Sequence, residues 1–303
     1  MIATRGLTKR YGKTTALSDL TLEIQRGEVF GLLGPNGSGK TTTIRLLLGL
    51  LQPTAGRASV AGLDCRTESV AVRRLISYLP GELRPFPAMS GYGYLEFLSS
   101  LRGGDSLPRA VAIAEKIMKL DLDRKVRAYS TGMKQKLSLA MAFSEPVEIL
   151  ILDEPTSALD PSARLDVLEL VKAAKARGQT VIFSGHVLSE VEKVCDRVAI
   201  MRRGRLMKVE DLHTRRCLRM LLIRFPHRDR VEFPPELEAS IRTHEGDVVL
   251  AEHRGPILPM LDWLRTQGIV DLAVGTEDLH SLYDEYHGPN AVEDVESIPL
   301  MGQ

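Results

Sequence analysis

Gly34, Pro35, Asn36, Gly37, Ser38, Gly39, Lys40 and Thr41 follow the spacing G-x-x-x-x-G-K-[ST]. Glycines at these places let the backbone wrap closely around phosphate oxygens, with successive N–H groups pointing inward. A helix that starts near Lys40 adds free N–H groups and a partial positive charge for the same anion. In such a cradle the Lys40 ammonium reaches the β- and γ-phosphates, and the Thr41 hydroxyl coordinates Mg2+. The expected nucleotide contacts are therefore these residues together with Thr42, and Mg2+ is the expected metal.

A second group of candidates sits at strand ends. The apolar run Ile149–Leu152 leads into Asp153 and Glu154. Charge at a buried strand end is costly and needs a reason. Mg2+ supplies one, because Asp153 can hold the metal, usually through water. Glu154 can then orient or deprotonate an attacking water. His186 closes the tripeptide Ser184-Gly185-His186 after the apolar run Thr180–Phe183. Ligands of open α/β sheets gather at the C-terminal ends of core strands, which favours a γ-phosphate or water contact for His186. Glu154, His186 and Lys40 are the expected catalytic groups.

These residues need a scaffold, and the patterning predicts one. Glu28–Leu33 (EVFGLL) reads as a compact strand before the Gly-rich turn. Thr41–Leu51 reads as the helix after it, with Ile44, Leu47, Leu48 and Leu51 on one face. Pro80–Gly91 is rich in Pro and Gly and reads as a surface loop. Arg109–Leu120 and Met133–Phe143 read as helices. Asp160 can cap a further helix whose first turn suits Pro161. Gly178 ends it, and Thr180–Phe183 is the next strand. Short apolar strands alternating with helices predict an α/β fold with a mostly parallel sheet covered on both faces.

The last third is different. Leu218–Phe225, Val248–Glu252 and Val270–Val274 read as strands, and Ile257–Gly268 and Asp278–Tyr286 as helices. That is a small α+β module, followed by a polar tail at 289–303 that is expected to fray. Charge changes at the same place. Residues 1–204 carry 29 Lys and Arg against 21 Asp and Glu, a balance of +8, whereas residues 205–303 carry 11 against 18, a balance of −7. The expected domains are 1–205, 206–288 and a tail at 289–303.

Composition narrows the class further. Hydrophobic residues make up 44% and charged residues 26% of the 303, which excludes a long disordered chain. The net charge of +1 demands no nucleic acid. No apolar stretch approaches the roughly 18 residues that span a bilayer. The N-terminus lacks the apolar core of a signal peptide, so a cytosolic chain is expected. Cys65, Cys195 and Cys217 are far apart and form no C-x-x-C pair, which points to ordinary thiols in a reduced compartment.

Taken in order, these motifs resemble the nucleotide-binding subunit of an ABC transporter over roughly residues 1–205. Tyr129-Ser130-Thr131-Gly132-Met133 falls where that family's signature (L-S-G-G-Q) belongs, and Ser157-Ala158-Leu159-Asp160 matches its D-loop. His186 matches the switch histidine, and Tyr11, in Lys9-Arg10-Tyr11-Gly12, the aromatic that stacks on adenine. The resemblance implies a P-loop NTPase (RecA-like) core with ABC-specific antiparallel β and α-helical subdomains, the helical one at about 83–146. It also implies a head-to-tail dimer, with itself or a related ATPase subunit, that sandwiches two ATP molecules. Each nucleotide would touch the phosphate loop of one subunit and Ser130 and Gly132 of the other. The residues agree: Ser130 and Gly132 precede a helix and so form another N-terminal anion site, although Ser130 can also serve simply as a helix cap.

Two departures stand out. Thr131 and Met133 replace the usual Gly and Gln of the signature, and with Lys134-Gln135 they resemble the S-x-G-M-[KR]-Q form of bacterial ABC-2-type exporters. After Tyr78-Leu79-Pro80, where the family places a glutamine, this chain has Gly81-Glu82. Glu82 could contact Mg2+ or water, or Gly81 could merely supply flexibility. Residues 81–91 carry Leu83, Pro85, Phe86, Pro87 and Met89. These fold back on the core or form a socket for a helix of a membrane permease, and the resemblance favours the socket. It thus implies an ATPase at the cytoplasmic face of the membrane, powering a separate permease, with no nucleic acid partner. The rival reading is a soluble ABC-type ATPase acting on the ribosome or DNA. Such relatives usually carry two nucleotide domains or a long coiled coil, whereas here Lys40 and Ser130 are 90 positions apart without sustained heptads. The C-terminal module weakly resembles the tail domain of the same exporters, through Glu277-Asp278-Leu279 and Tyr286-His287-Gly288. Dimer support and regulation are both open to it, and Trp263 reads as core.

Overall fold

The computed structural model describes residues 1–83, 85–216, 218–226 and 231–276. The expected helix Asp278–Tyr286, the tail at 289–303 and Cys217 lie outside these residues. The chain forms two compact units, Met1–Glu210 and a second beginning at Asp211.

The first unit opens with two antiparallel strands, β1 (Ile2–Tyr11) and β2 (Thr14–Ile24). β3 (Val29–Leu33) leads into α1 (Lys40–Leu47). β4 (Ala55–Val60) and β5 (Leu63–Asp64) complete a four-stranded sheet in the order β2-β1-β4-β5. After α2 (Ser69–Arg74) and β6 (Ile76–Leu79) comes a helical segment of α3 (Gly91–Ser100), α4 (Leu107–Ala112) and α5 (Thr131–Ser144). The chain returns through β7 (Ile149–Asp153), α6 (Pro161–Ala176), β8 (Thr180–Gly185), α7 (Leu188–Val194), β9 (Arg197–Arg202) and β10 (Arg205–Asp211). The second sheet runs β10-β9-β3-β8-β7-β6, with β9, β3, β8, β7 and β6 mutually parallel. The strand starting at Arg205 lies beside β9, so the division between units falls after Glu210.

β3 and β7 are buried at every residue, as a parallel strand covered on both faces must be. Alternate residues serve the two faces. Phe30, Leu32, Ile149, Ile151 and Ile182 share a core with Ile44 and Leu47 of α1 and with Leu7, Leu17 and Leu20 of the antiparallel sheet. On the other face Gly31 meets Val191 of α7 and Cys195 just beyond it. Cys65 and Cys195 are both buried free thiols, and burial pushes the Cys65 thiol up to about 12.

Two helices differ from the sequence expectation. α1 stops at Leu47 rather than Leu51. The Gly49 and Leu50 amides donate to the carbonyls of Leu46 and Arg45, a closing turn that places Gly49 at φ 64°. The Arg109–Leu120 segment is not one α-helix: after α4 it widens into a π-turn, Ile113–Ile117, in which the Met118 amide donates to Ile113 O at 2.9 Å. That turn keeps Ile113, Ala114 and Met118 buried together.

The second unit holds α8 (Leu212–Arg216), β11 (Arg219–Arg224), β12 (Ala239–Glu245), β13 (Val248–His253), α9 (Ile257–Thr266) and β14 (Asp271–Thr276). Its antiparallel sheet runs β12-β13-β11-β14. Leu221, Ile223, Val249 and Ala251 face Met260 and Leu264 of α9, and Trp263 packs on Phe233 with ring centroids 5.2 Å apart. No described helix is long and apolar enough to cross a membrane.

Candidate functional site

The loop from Gly34 to Gly39 joins the end of β3 to the start of α1. Gly39 precedes the helix at φ 106° and offers no side chain to cap it, so the first amides of α1 are left for an external acceptor. Gly34 is set by space, because a Cβ there would lie 2.3 Å from Met201 O. Ser38 is 1% exposed, and its hydroxyl has no partner among the described residues. A buried orphan hydroxyl among uncapped amides fits an anion with several oxygens. Lys40, 5% exposed, donates to Gly34 O at 2.7 Å and Pro35 O at 3.3 Å.

The expected metal and water groups converge on this loop. The Thr41 hydroxyl donates to Asp153 Oδ2 at 2.9 Å, and the Ser184 hydroxyl to Asp153 Oδ1 at 2.6 Å. Asp153, at the end of β7, is 1% exposed. Its carboxylate with the Thr41 hydroxyl is a set of hard oxygen donors, which suits Mg2+. Glu154 follows at φ 51°, a left-handed conformation that costs a non-glycine residue about 1–3 kcal/mol. Its amide is held by Ser184 Oγ at 3.0 Å. Its carboxylate lies 3.3 Å from Lys40 Nζ and 3.1 Å from His186 Nδ1. Lys40, Thr41, Asp153, Glu154 and His186 thus form one connected cluster at the strand ends.

The remaining candidates lie around it. Gly81 backs onto Asp153, where a Cβ would stand 3.5 Å from its carbonyl and 3.7 Å from its carboxylate. Glu82 is the next residue and is exposed. Tyr78, on β6, has its phenol pushed up to about 12 by burial and by the Asp153 carboxylate, with Arg45 opposing. Tyr11 ends β1 with its ring 49% exposed and Lys9 Nζ 5.0 Å from the ring centre. Ser130 caps α5, accepting from the Met133 amide at 3.2 Å. Gly132 packs on the turn 154–160, where a Cβ would lie 2.9 Å from Ala158 O. Asp160 caps α6 as expected; the Ala163 amide and the Ser162 hydroxyl hold its carboxyl well below the usual range.

Sequence reasoning missed the contacts of three residues that organise the cluster. Ser184 bridges Asp153 and the Glu154 amide, and its only sequence signal is a polar residue closing an apolar strand. Gln135 donates to Pro155 O at 2.9 Å from inside α5, and Glu190 accepts from Thr156 at 2.6 Å. Beside the cluster, Leu79, Pro80, Leu83, Tyr94 and Met141 line a groove of about 340 Å3 between β6 and the helical segment. Phe86 and Phe97 form an edge-on pair, centroids 5.4 Å apart, and both are exposed.

The chain is similar to known proteins. The ABC transporter family matches residues 17–157. The linearmycin resistance ATP-binding protein of Bacillus subtilis is 33% identical over 213 residues, 69% of this chain and 68% of its own length. The bacitracin transport ATP-binding protein of Enterococcus faecalis is 35% identical over 220 residues, 71% of each chain. The dimeric structure of a bacterial ABC transporter cassette superposes with a TM-score of 0.64 at 25% identity, covering 70% of this chain and 99% of that one.

Proposed function

The chain belongs to the ABC transporter ATP-binding proteins, and from that premise we propose that it is the ATPase subunit of an exporter, driving a separate membrane permease through ATP-dependent dimerisation. ATP binding and hydrolysis come with the family; the residue roles, the metal, the partner and the direction of transport are the proposal.

The phosphates enter the loop Gly34–Gly39 and cap α1. The Ser38 hydroxyl gains the partner it lacks among the described residues. The Lys40 ammonium exchanges its Gly34 and Pro35 carbonyls for phosphate oxygens. Thr41 and Asp153 are the residues that would hold Mg2+, which when bound neutralises charge developing on the β- and γ-phosphate oxygens. Gly81 backs onto Asp153, and its neighbour Glu82 is a further carboxylate proposed for the same ion. Glu154 accepts the proton of the attacking water, and His186 on its other carboxylate oxygen holds it in place. Tyr11 offers its exposed ring to adenine.

Dimerisation follows from an imbalance. The chain has two anion-binding helix ends, α1 and α5, for each nucleotide, and a head-to-tail pair uses both. The dimeric cassette supports that pairing, and the relatives named for linearmycin resistance and bacitracin transport support export. Lacking a described membrane-spanning helix, the subunit would sit at the cytoplasmic face of the membrane, against a permease. The groove beside Leu83, lined by apolar side chains and also by Arg102 and Glu145, and the exposed Phe86–Phe97 pair offer a surface for a permease segment.

The observation that carries this reading is the cluster of Lys40, Thr41, Asp153, Glu154 and His186 under a loop with an orphan buried hydroxyl. Lys40→Ala is expected to abolish ATP binding, and Glu154→Gln to lower turnover about 100-fold or more while ATP still binds. Both are read by equilibrium binding and phosphate release, and unimpaired turnover in both would overturn the assignment.

A further inference from the structure

Four residues after His186, Glu190 is buried in α7 with 7% exposure. Its Oε2 accepts a 2.6 Å hydrogen bond from the Thr156 hydroxyl, which is itself buried. Its Oε1 stands 3.6 Å from Arg164 Nη1, and Arg164 Nε donates to Leu159 O at 3.0 Å. One carboxylate therefore holds the turn 154–160 at two points, directly at Thr156 and through Arg164 at Leu159. The turn begins at Glu154, whose carbonyl accepts from Ser157 Oγ at 3.1 Å. Its far side is gripped by α5, through Gln135 on Pro155 O, the close approach of Gly132 to Ala158 O, and Lys136 3.4 Å from Asp160.

Packing alone does not call for a carboxylate here. Leu188, Val191 and Val194 already bury α7, and a buried charge is expensive unless it is paired and hydrogen-bonded. What a carboxylate adds is direction, because it fixes a hydroxyl and a guanidinium in one geometry.

We infer that Glu190 is a positioning residue for ATP hydrolysis: it locks the segment that carries His186 to the turn that carries Glu154 and abuts Gly132. Displacement of His186 by the γ-phosphate is then passed through Thr156 and Arg164 to the turn against the Ser130 end of α5. The inference rests on the reading of the chain as an ATP-driven dimer.

The test is steady-state ATP turnover of the full-length chain carrying Glu190→Ala, Thr156→Val or Thr156→Ser. MgATP-driven dimerisation of the first two in a Glu154→Gln background is followed by sedimentation. Glu190→Ala and Thr156→Val are expected to lower kcat about tenfold or more with KM for ATP within about twofold, because the phosphate loop is untouched. Thr156→Ser, which keeps the hydroxyl, is expected to restore kcat, and the first two changes to weaken dimerisation. The inference is overturned if kcat stays within about twofold of the parent in both variants. It is equally overturned if kcat falls only in step with the folded fraction and Thr156→Ser does no better than Thr156→Val. A parent chain with no ATP turnover would instead strike down the proposed function, and this inference with it.

Discussion

Ser184 donates its hydroxyl hydrogen to Asp153 and accepts from the Glu154 amide, so one atom joins the carboxylate proposed to hold the metal to the residue proposed to activate water. Its removal leaves a buried amide and a buried carboxylate oxygen each short of a partner. Ser184→Ala is expected to cost about 1–3 kcal/mol of stability and to lower turnover, since Glu154 is held at positive φ partly by that bond. Urea unfolding and phosphate release check the two effects; unchanged turnover would show that Glu154 is held by its other contacts. Lys40, Thr41, Asp153, Glu154 and His186 were all legible in the sequence because each lies in a short local pattern. Ser184 and Glu190 were not, and Gln135 was legible only as a motif residue without its contact, because their partners lie 31, 34 and 20 positions away.

Elements were readable where one face is apolar. β3, β7 and β8 announce themselves as unbroken apolar runs because both faces are buried. β12 was not anticipated: it is an edge strand whose middle residues are exposed, so it carries no apolar alternation. Its neighbour β13 ends in His253, which is fully buried and whose ring nitrogens have no partner among the described residues. Burial, and then the nearby Arg219 charge, hold the His253 pKa below its ordinary 6.5, with Glu238 opposing. The unfolded chain therefore binds this proton more readily than the folded one. Stability from this group is complete above about pH 6.5 and is lost as pH falls below it. Trp263, the only tryptophan, reports the same unit. Its fluorescence in urea is expected to show a lower midpoint at pH 5.5 than at pH 7.5, and His253→Leu should shrink that difference; an equal difference in the variant would assign the pH effect elsewhere.

At the scale of the whole molecule, α1 starts without a side-chain cap whereas α5 is capped by Ser130, and only α1 has the Lys40–Glu154 cluster behind it. In the proposed dimer the Ser130 end of one chain meets the nucleotide held by its partner. The Glu154→Gln chain is expected to sediment as a dimer with MgATP and as a monomer without it. Adding Ser130→Glu should abolish the dimer, because a carboxylate would oppose the phosphates, while ATP binding to each monomer persists. Dimerisation that survives Ser130→Glu would rule out this face.

The candidate phosphate loop was legible in the sequence alone, because a glycine loop, its lysine and the first helical turn are contiguous and need no distant partner to be recognised. The apolar runs likewise determined a parallel α/β sheet, since a strand buried on both faces can have no polar register. Only the tertiary structure decided which strand ends converge. It set Asp153 against Thr41, aimed Glu154 between Lys40 and His186, and tied the turn 154–160 to α5 and α7. Those relations depend on β3, β7 and β8 lying side by side, an order set by packing over more than a hundred residues and not written in any local spacing.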